Sequence, residues 1–346
     1  MKKLISLILS LSLIAALFAG CSSSQSPETT PAAADSTQAA EETQAADPAA
    51  QSFTVAVVQQ MDHSSLDEIR NAIVAQLNAL AAENGFAITI EEYNGQNDSS
   101  VLNQIGAQVV SDGVDMIIPI ATTAAQCMVT AADGTDIPIV YAAISDPESV
   151  GLTGIPTVTG TSDALNTPFI LDMMLAVQPD VKTVGLLYSN SEANSATPIA
   201  EAKAYLEEKG IAYLEKTGNT TDEIVTAASS LVGRVEAVFT PTDNAVMGAE
   251  GAVAEILRDA GIAHYTGADS FVLSGAFATC GVNYTELGTK TADMAVNILL
   301  GGEIPEFHVM DGGIITVNTD TAEALGIVYN GFTNMVDTVV EVASEE

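Results

Sequence analysis

Seven short polar runs hold the residues best able to do chemistry, and each follows an apolar stretch or opens a helical one: Gln59 to Ser65, Asn94 to Ser99, Ala121 to Thr123, Ser145-Asp146-Pro147, Ser189 to Ser195, Thr240 to Asn244 and Gly267 to Ser270. Between them they offer His63, Thr122, Thr123, Ser145, Asp146, Ser189, Asn190, Asn194, Ser195, Thr242, Asp243, Asn244 and Asp269. Helix capping alone enriches Ser, Thr, Asp and Asn at such places. It accounts less well for several polar residues running together, as in Ser189-Asn190-Ser191 and Thr240-Pro241-Thr242-Asp243-Asn244. Beyond Lys2 and Lys3, the basic residues are Arg70, Lys182, Lys203, Lys209, Lys216, Arg234, Arg258 and Lys290, and none falls in these runs. Asp62, Asp98, Asp146, Asp243 and Asp269 do. A site for phosphate, sulfate or a dicarboxylate is expected to use Arg. Carboxylates suit an ammonium or hydroxyls, and helix N-termini with Thr hydroxyls suit one carboxylate. A zwitterion such as an amino acid matches both halves.

The elements that must position these residues alternate. Phe53 to Val58 is rich in β-formers, and Leu66, Ile69, Ile73, Leu77 and Leu80 then recur at helical spacing. Phe86 to Ile90, Val114 to Ile120 and Pro138 to Ile144 are the next expected strands, with helices carrying Val101 to Val109 and spanning Thr123 to Ala132 between them. Val114 to Ile120 is nearly unbroken in its apolarity, as a strand covered on both faces must be. The second half repeats the alternation. Its strands are expected at Thr183 to Tyr188, Ile211 to Leu214, Ala237 to Phe239, His264 to Thr266 and Ala276 to Cys280, and its helices at Pro198 to Lys209, Asp222 to Val232 and Asn244 to Asp259. Such alternation predicts an α/β chain of two Rossmann-like lobes with parallel sheets. In sheets of this kind ligands bind outside the carboxyl ends of the strands, where the seven polar runs fall.

The first residues bear on location. Met1-Lys2-Lys3 is a short basic start, Leu4 to Phe18 is apolar apart from three serines, and Ala19-Gly20-Cys21 resembles a lipobox. This is the pattern of a secretory leader whose removal leaves Cys21 as a lipid-bearing N-terminus, and the apolar run is short for a membrane span. Residues 22–52 hold no aromatic and no basic residue, so they are expected to form a disordered acidic tether on the outer face of the cell membrane. The net charge is −35, and loss of Lys2 and Lys3 makes it −37. That excludes nucleic acid, which needs clustered Lys and Arg, and docking on anionic head groups. Cys127 and Cys280 are far apart and are expected to be small apolar core residues.

Enzyme signatures are absent from the sequence. No Gly-x-Gly-x-x-Gly follows the first strand, and neither a phosphate-binding Gly-x-x-x-x-Gly-Lys-Ser/Thr nor a Gly-x-Ser-x-Gly elbow occurs. His63, His264 and His308 lack ligand spacing, so no metal or other cofactor is expected, and His264 is expected to be a satisfied strand residue.

Several stretches together resemble a known family. They are Ala121-Thr122-Thr123-Ala124-Ala125-Gln126, Pro138 to Pro147, Val158-Thr159-Gly160-Thr161-Ser162-Asp163, Asn194-Ser195, Thr242-Asp243-Asn244 and Tyr284-Thr285-Glu286-Leu287-Gly288. The chain looks like the tryptophan/tyrosine-type substrate-binding lipoproteins of ABC importers, which have the type I periplasmic-binding-protein fold. The resemblance covers nearly all of residues 53–330. It implies two lobes joined by three crossovers, closing on an aromatic or other apolar amino acid and serving an ABC permease and ATPase as a monomer. It implies lobe 1 from residues 53–162 plus 281–307 and lobe 2 from residues 163–280 plus 308–340. Thr122 and Thr123 would hold the ligand carboxylate. Asp146, Ser189, Asn190, Asn194, Ser195, Asp243 and Asp269 would line the rest, with Asp243 or Asp269 on the ammonium. His63-Ser64 stands where the family commonly shows His-Pro, so the side-chain pocket is not carried over. A nucleoside or sugar ligand, and a sensing role in place of transport, remain alternatives on the same fold.

Overall fold

The computed structural model describes residues 51–344; Cys21 and most of the tether lie outside them. In chain order the first elements are β1 (Ser52–Gln59), α1 (Ser64–Asn84), β2 (Ala87–Asn94), α2 (Ser99–Asp112), β3 (Met116–Ile120), α3 (Thr122–Ala131), β4 (Ile139–Tyr141) and β5 (Val158–Ser162). There follow α4 (Thr167–Val177), β6 (Thr183–Tyr188), a 3-10 turn at Ala193–Ser195, α5 (Ala196–Lys209), β7 (Ala212–Thr217), α6 (Thr221–Ser229) and β8 (Ala237–Thr240). The rest comprises α7 (Asn244–Met247), α8 (Glu250–Asp259), β9 (Ala263–Thr266), α9 (Asp269–Leu273), β10 (Ala278–Gly281), α10 (Tyr284–Leu299), β11 (His308–Val309), β12 (Ile314–Asn318), α11 (Thr319–Leu325) and β13 (Val339–Val342).

Two sheets organise these elements. One has the order β11-β5-β4-β3-β1-β2 and the other β13-β12-β10-β9-β8-β6-β7. Pairing is parallel in both, apart from the antiparallel β10–β12 ladder. Parallel strands need a covered crossover each, which is why β3 is buried at every residue and flanked by helices. On α1 the buried residues Leu66, Ile69, Ile73 and Leu77 form one stripe, as their spacing predicts, and Ala81 ends it with the expected Leu80 half-buried beside it. Packed against α1 is α10, so the chain returns to the first lobe after β10.

The chain thus crosses between lobes three times: after β5, after β10 and after β11. The third crossing falls after Val309 and not before His308, because His308 and Val309 pair with Thr161 and Ser162 of β5. A two-residue exposed strand has no sequence period to betray it. Helix α4 is likewise absent from the sequence expectation: Phe169 to Val177 is apolar nearly all round, so no amphipathic face marks it. The single helix expected from Asn244 to Asp259 is two, broken at Gly248-Ala249.

Candidate functional site

The carboxyl ends of the strands face each other across a cleft, and the polar loops meet there. From the first lobe come the loop after β1 with Gln60 and His63, the start of α3, the loop after β4 with Ser145, and Asp163 in the first crossover. From the second come the loop after β6, the Thr242-Asp243-Asn244 corner before α7 and Phe271 of α9, and Tyr284 opens α10 at the second crossover. They enclose a narrow cavity of about 20 Å³, lined among others by His63, Thr122, Ser145, Asp163, Asn194, Thr242, Asp243, Asn244 and Tyr284, with Leu66, Met247 and Phe271 as its apolar wall. No Lys or Arg lines it.

The lobes are latched across this cavity. His63 Nε2 meets Asn244 Oδ1 at 3.0 Å, Ser145 Oγ lies 3.1 Å from Thr242 Oγ1, and the Ser65 and Ser270 hydroxyls are in direct contact. Gln60 Nε2 donates to Glu192 Oε1 at 2.9 Å, and Thr197 Oγ1 donates to Asp146 Oδ2 at 2.7 Å. The space left has room for about one water, so an amino acid can enter only if the lobes part.

Three buried polar atoms on the cavity wall have no hydrogen-bond partner: Thr122 Oγ1, Asn194 Oδ1 and His63 Nδ1. Asn244 Oδ1 can only accept, so His63 carries its proton on Nε2 and Nδ1 presents a lone pair. Burial pushes the His63 pKa down, which keeps the ring neutral. Helix α3 begins with no side-chain cap. The residue before it, Ala121, has φ +76° and ψ 163°, a conformation that costs a non-glycine residue on the order of 1–3 kcal/mol. Ala143, on the facing loop, also has positive φ, at +58°. Strained backbone therefore lines the cavity from two adjacent strand ends, and at Ala121 it sets the start of α3 against the wall.

Two carboxylates reach the wall in different states. Asp243 is fully buried and its oxygens are occupied: Oδ2 accepts from Ser189 N–H at 2.7 Å and Ser195 Oγ at 2.6 Å, and Oδ1 caps α7 through Val246 N–H at 3.0 Å. Asp163 accepts one hydrogen bond at each oxygen, from Ser145 Oγ at 3.0 Å and from Tyr284 Oη at 3.1 Å. It thus retains acceptor capacity. Burial raises the pKa of both acids. A third acid, Glu192, stands just behind the wall. It is 4% exposed, and burial together with the neighbouring Asp243 pushes it up to about 8.

Of the residues singled out in the sequence, His63, Thr122, Ser145, Asn194, Thr242, Asp243 and Asn244 meet at the cavity. Six others do not line it. Thr123 gives its N–H to Gln60, Asp146 latches to Thr197, and Ser189 and Ser195 support Asp243. Asn190 is exposed and bonds Thr217. Asp269 heads α9 beside a separate surface hollow with Thr279 and Asn283; burial, and then the charge of Glu68, raise it to about 6. Asp163, Glu192, Gln60 and Tyr284 are the residues sequence reasoning did not select. Glu192 and Gln60 do lie inside the polar runs, whereas Asp163 and Tyr284 lie at lobe crossings that sequence spacing does not bring together.

His264 is buried in the second lobe, with Nδ1 3.0 Å from Glu250 Oε1 and Nε2 2.8 Å from Thr240 Oγ1. A Thr-His-Glu order suggests a nucleophile relay, but all three side chains are sealed from solvent and none lines the cavity. Cys127, half-buried, and Cys280, buried, are both free thiols. No cluster of His, Cys, Asp and Glu among the described residues has the geometry of a metal site.

Comparison with known proteins adds to this geometry. A family model described as ABC transporter substrate binding protein matches residues 54–337. A "Tyrosine-binding protein" of Clostridioides difficile is 30% identical over 331 residues, covering 94% of this chain and 92% of that one. The crystal structure of an ABC domain in complex with L-Trp from Streptococcus pneumonia superposes with a TM-score of 0.77 at 30% identity, over 84% of this chain and all of that one. The ligand-free, open structure of a substrate-binding protein with adhesive properties from Clostridium difficile gives 0.64 at 32% identity, over 85% of this chain and all of that one. At similar identity, the chain superposes better on the complex than on the open form.

Proposed function

The chain belongs to the ABC transporter substrate-binding proteins, a family of two-lobed extracytoplasmic proteins of the type I periplasmic-binding-protein fold, and on that footing we propose that it captures an aromatic amino acid in the interlobe cleft and hands it to a permease. The observation that carries the reading is the cavity wall. It has a buried carboxylate with spare acceptor capacity, no Lys or Arg, and unpartnered polar atoms beside a helix start whose own N-cap residue supplies no side-chain cap.

In this reading Asp163 takes the ligand ammonium, in place of Asp243 or Asp269. A buried carboxylate without a cation is costly, and an ammonium offsets that cost. Thr122, through its Oγ1 and N–H, takes the carboxylate, because a helix N-terminus favours an anion, while Thr123 N–H stays with Gln60. Asn194 Oδ1 and His63 Nδ1 accept from donors on the ligand. Leu66, Met247 and Phe271 pack its side chain, and the tyrosine and tryptophan named for the two relatives support an aromatic one.

The leader reading completes the proposal: Cys21 carries a lipid, the residues between it and β1 are a tether that ends sooner than the expected residue 52 because Ser52 opens β1, and the chain works as a monomer. Cys21→Ser should free the protein from membranes or leave it uncleaved; membrane attachment unchanged in that variant would remove the anchor from the proposal.

A thermal-shift screen of residues 22–346 against amino acids, nucleosides and sugars tests the ligand class. A ligand at a hundred times its dissociation constant stabilises by about 2.7 kcal/mol. L-tyrosine or L-tryptophan should give the largest shift. A nucleoside or sugar outranking every amino acid would replace the zwitterion with a neutral ligand.

A further inference from the structure

We propose that Glu192 is a positioning residue of the ligand cleft: its carboxyl is the centre of a hydrogen-bonded relay, complete only while the lobes are together, that orients the start of α3 and the His63 ring toward the ligand. The proposal rests on the cleft being the ligand site.

The relay can be followed atom by atom. Thr123 N–H donates to Gln60 Oε1 at 3.1 Å, and Gln60 Nε2 donates to Glu192 Oε1 at 2.9 Å. Asn244 Nδ2 donates to Glu192 Oε2 at 2.8 Å, and Asn244 Oδ1 accepts from His63 Nε2 at 3.0 Å. The path begins in the first lobe at α3, passes through the second at Glu192 and Asn244, and returns to the first at His63. A side-chain amide presents an oxygen on one side and an NH2 on the other, and both Glu192 oxygens accept an NH2 here, a capacity that a carboxyl keeps when it holds a proton. Glu192 therefore fixes which way both amides face. With it in place, Gln60 turns its oxygen to α3, and Asn244 turns its oxygen to His63, which leaves His63 Nδ1 without a protein partner on a residue of the cavity wall. Without it both amides can turn over, and the two ligand-facing groups lose their orientation.

The charges around Glu192 are one-sided. Asp243, before α7, repels it. His63, from the first lobe, is held neutral by burial, which outweighs the opposing charges of Asp67 and Asp62. The nearest Arg on that side, Arg70, is engaged by Asp62, Asp67 and Glu92. In the closed cleft the carboxyl is accordingly pushed up to about 8. When the lobes part it gains water, and relief of the burial that is the main cause of the shift lowers it toward the ordinary value of 4.5, against the loss of the Gln60 hydrogen bond. Between those values the closed form holds a proton that the open form lacks. Closure is thus favoured at low pH and weakens as pH rises toward 8. His63 acts in the opposite sense below about 6.5, where the open form gains a proton. Above about pH 6.5 His63 no longer contributes, and affinity falls by up to about tenfold per pH unit toward pH 8; the Glu192→Gln variant separates Glu192 from the other buried acids, Asp163 and Asp243.

Calorimetry of L-tyrosine and L-tryptophan binding in two buffers of different ionisation enthalpy at pH 7 reads the proton count. The parent should take up close to one proton per ligand bound. Glu192→Gln keeps the shape but cannot titrate, so it should take up none and bind with an affinity flat across pH 6.5–8. A parent that takes up no proton, or a Glu192→Gln variant with the parent's count, overturns the proposal. A loss of packing alone would not move that count. If neither amino acid gives heat, it is the ligand assignment that fails, and Glu192 is tested without ligand. The touching Ser65 and Ser270 hydroxyls mark where a Ser65→Cys, Ser270→Cys disulfide would hold the cleft shut. The carboxyl carbon of Glu192, assigned by its loss in Glu192→Gln, should titrate above pH 7 in the oxidised variant and return to the usual range on reduction. One midpoint in both forms overturns the proposal.

Discussion

At the residue scale, Asp163 and Asp243 share one cavity wall but differ in what donates to them, and the difference predicts opposite mutant behaviour. Asp163 has spare acceptor capacity at both oxygens. Asp163→Asn keeps one acceptor and places an NH2 where an ammonium would sit. A charge-assisted hydrogen bond contributes roughly 1.5–3 kcal/mol, which is about tenfold to a hundredfold in affinity for the amino acid. Calorimetry with L-tyrosine or L-tryptophan reads this, and an Asp163→Asn variant that binds as the parent does removes Asp163 from the ammonium. Asp243 receives Ser189 N–H, Ser195 Oγ and Val246 N–H. Asp243→Asn must turn an NH2 toward one of those donors, and a buried donor left unsatisfied costs about 1–3 kcal/mol. That variant should lose stability in a denaturant titration, so weakened binding in it reports on the fold as much as on the ligand. Denaturation at the parent's midpoint would show that the Asp243 bonds are dispensable.

At the element scale, the seam between β4 and β5 is set by contact distance. A Cβ placed on Gly160 would stand 2.1 Å from the Tyr141 carbonyl oxygen and 2.3 Å from its ring. Neither backbone nor a fully buried tyrosine can move that far, because interiors are packed near crystal density. Gly160→Ala should therefore destabilise by at least the roughly 1–3 kcal/mol typical of overpacking. Thermal melting checks this, and a melting temperature within a degree of the parent's would mean that the strands can separate at low cost. The same scale shows why some elements were legible and others were not. β1, β3 and β6 announce themselves as apolar β-formers bounded by polar loops, and α1 by its stripe. α4 offers no polar face to read, and β11 is too short to carry a period. The break between α7 and α8 leaves only Gly248 as its trace.

At the scale of the whole molecule, five side-chain contacts join the lobes around a cavity too small for an amino acid. Ligand entry thus requires a hinge motion at the three crossings, and two residues of the cavity wall, Asp163 and Tyr284, belong to those crossings. Small-angle scattering should give a larger radius of gyration for the ligand-free protein than after L-tyrosine or L-tryptophan is added. A bound amino acid with no compaction would count against closure, though not against binding. The strong net negative charge makes electrostatic docking on anionic lipid or nucleic acid unfavourable at any degree of opening.

The sequence by itself determined the α/β alternation, the parallel sheets and the placing of polar loops beyond the strand ends, because those follow from local hydrophobic period and loop composition. It also determined that the loops at the cleft hold no basic residue, a property of composition that folding cannot alter. Only the tertiary structure decided which polar residues line the cavity. Ser189, Ser195 and Asp243 look in the sequence like site residues, but they bond mainly to one another once folded. Asp163 and Tyr284, 121 positions apart, become neighbours because two lobe crossings run side by side. Glu192 is one acid among many until burial removes its water and two amides from different lobes take its place. Hydrogen-bond partners and desolvation are properties of neighbours in space, and sequence spacing within a loop carries no record of them.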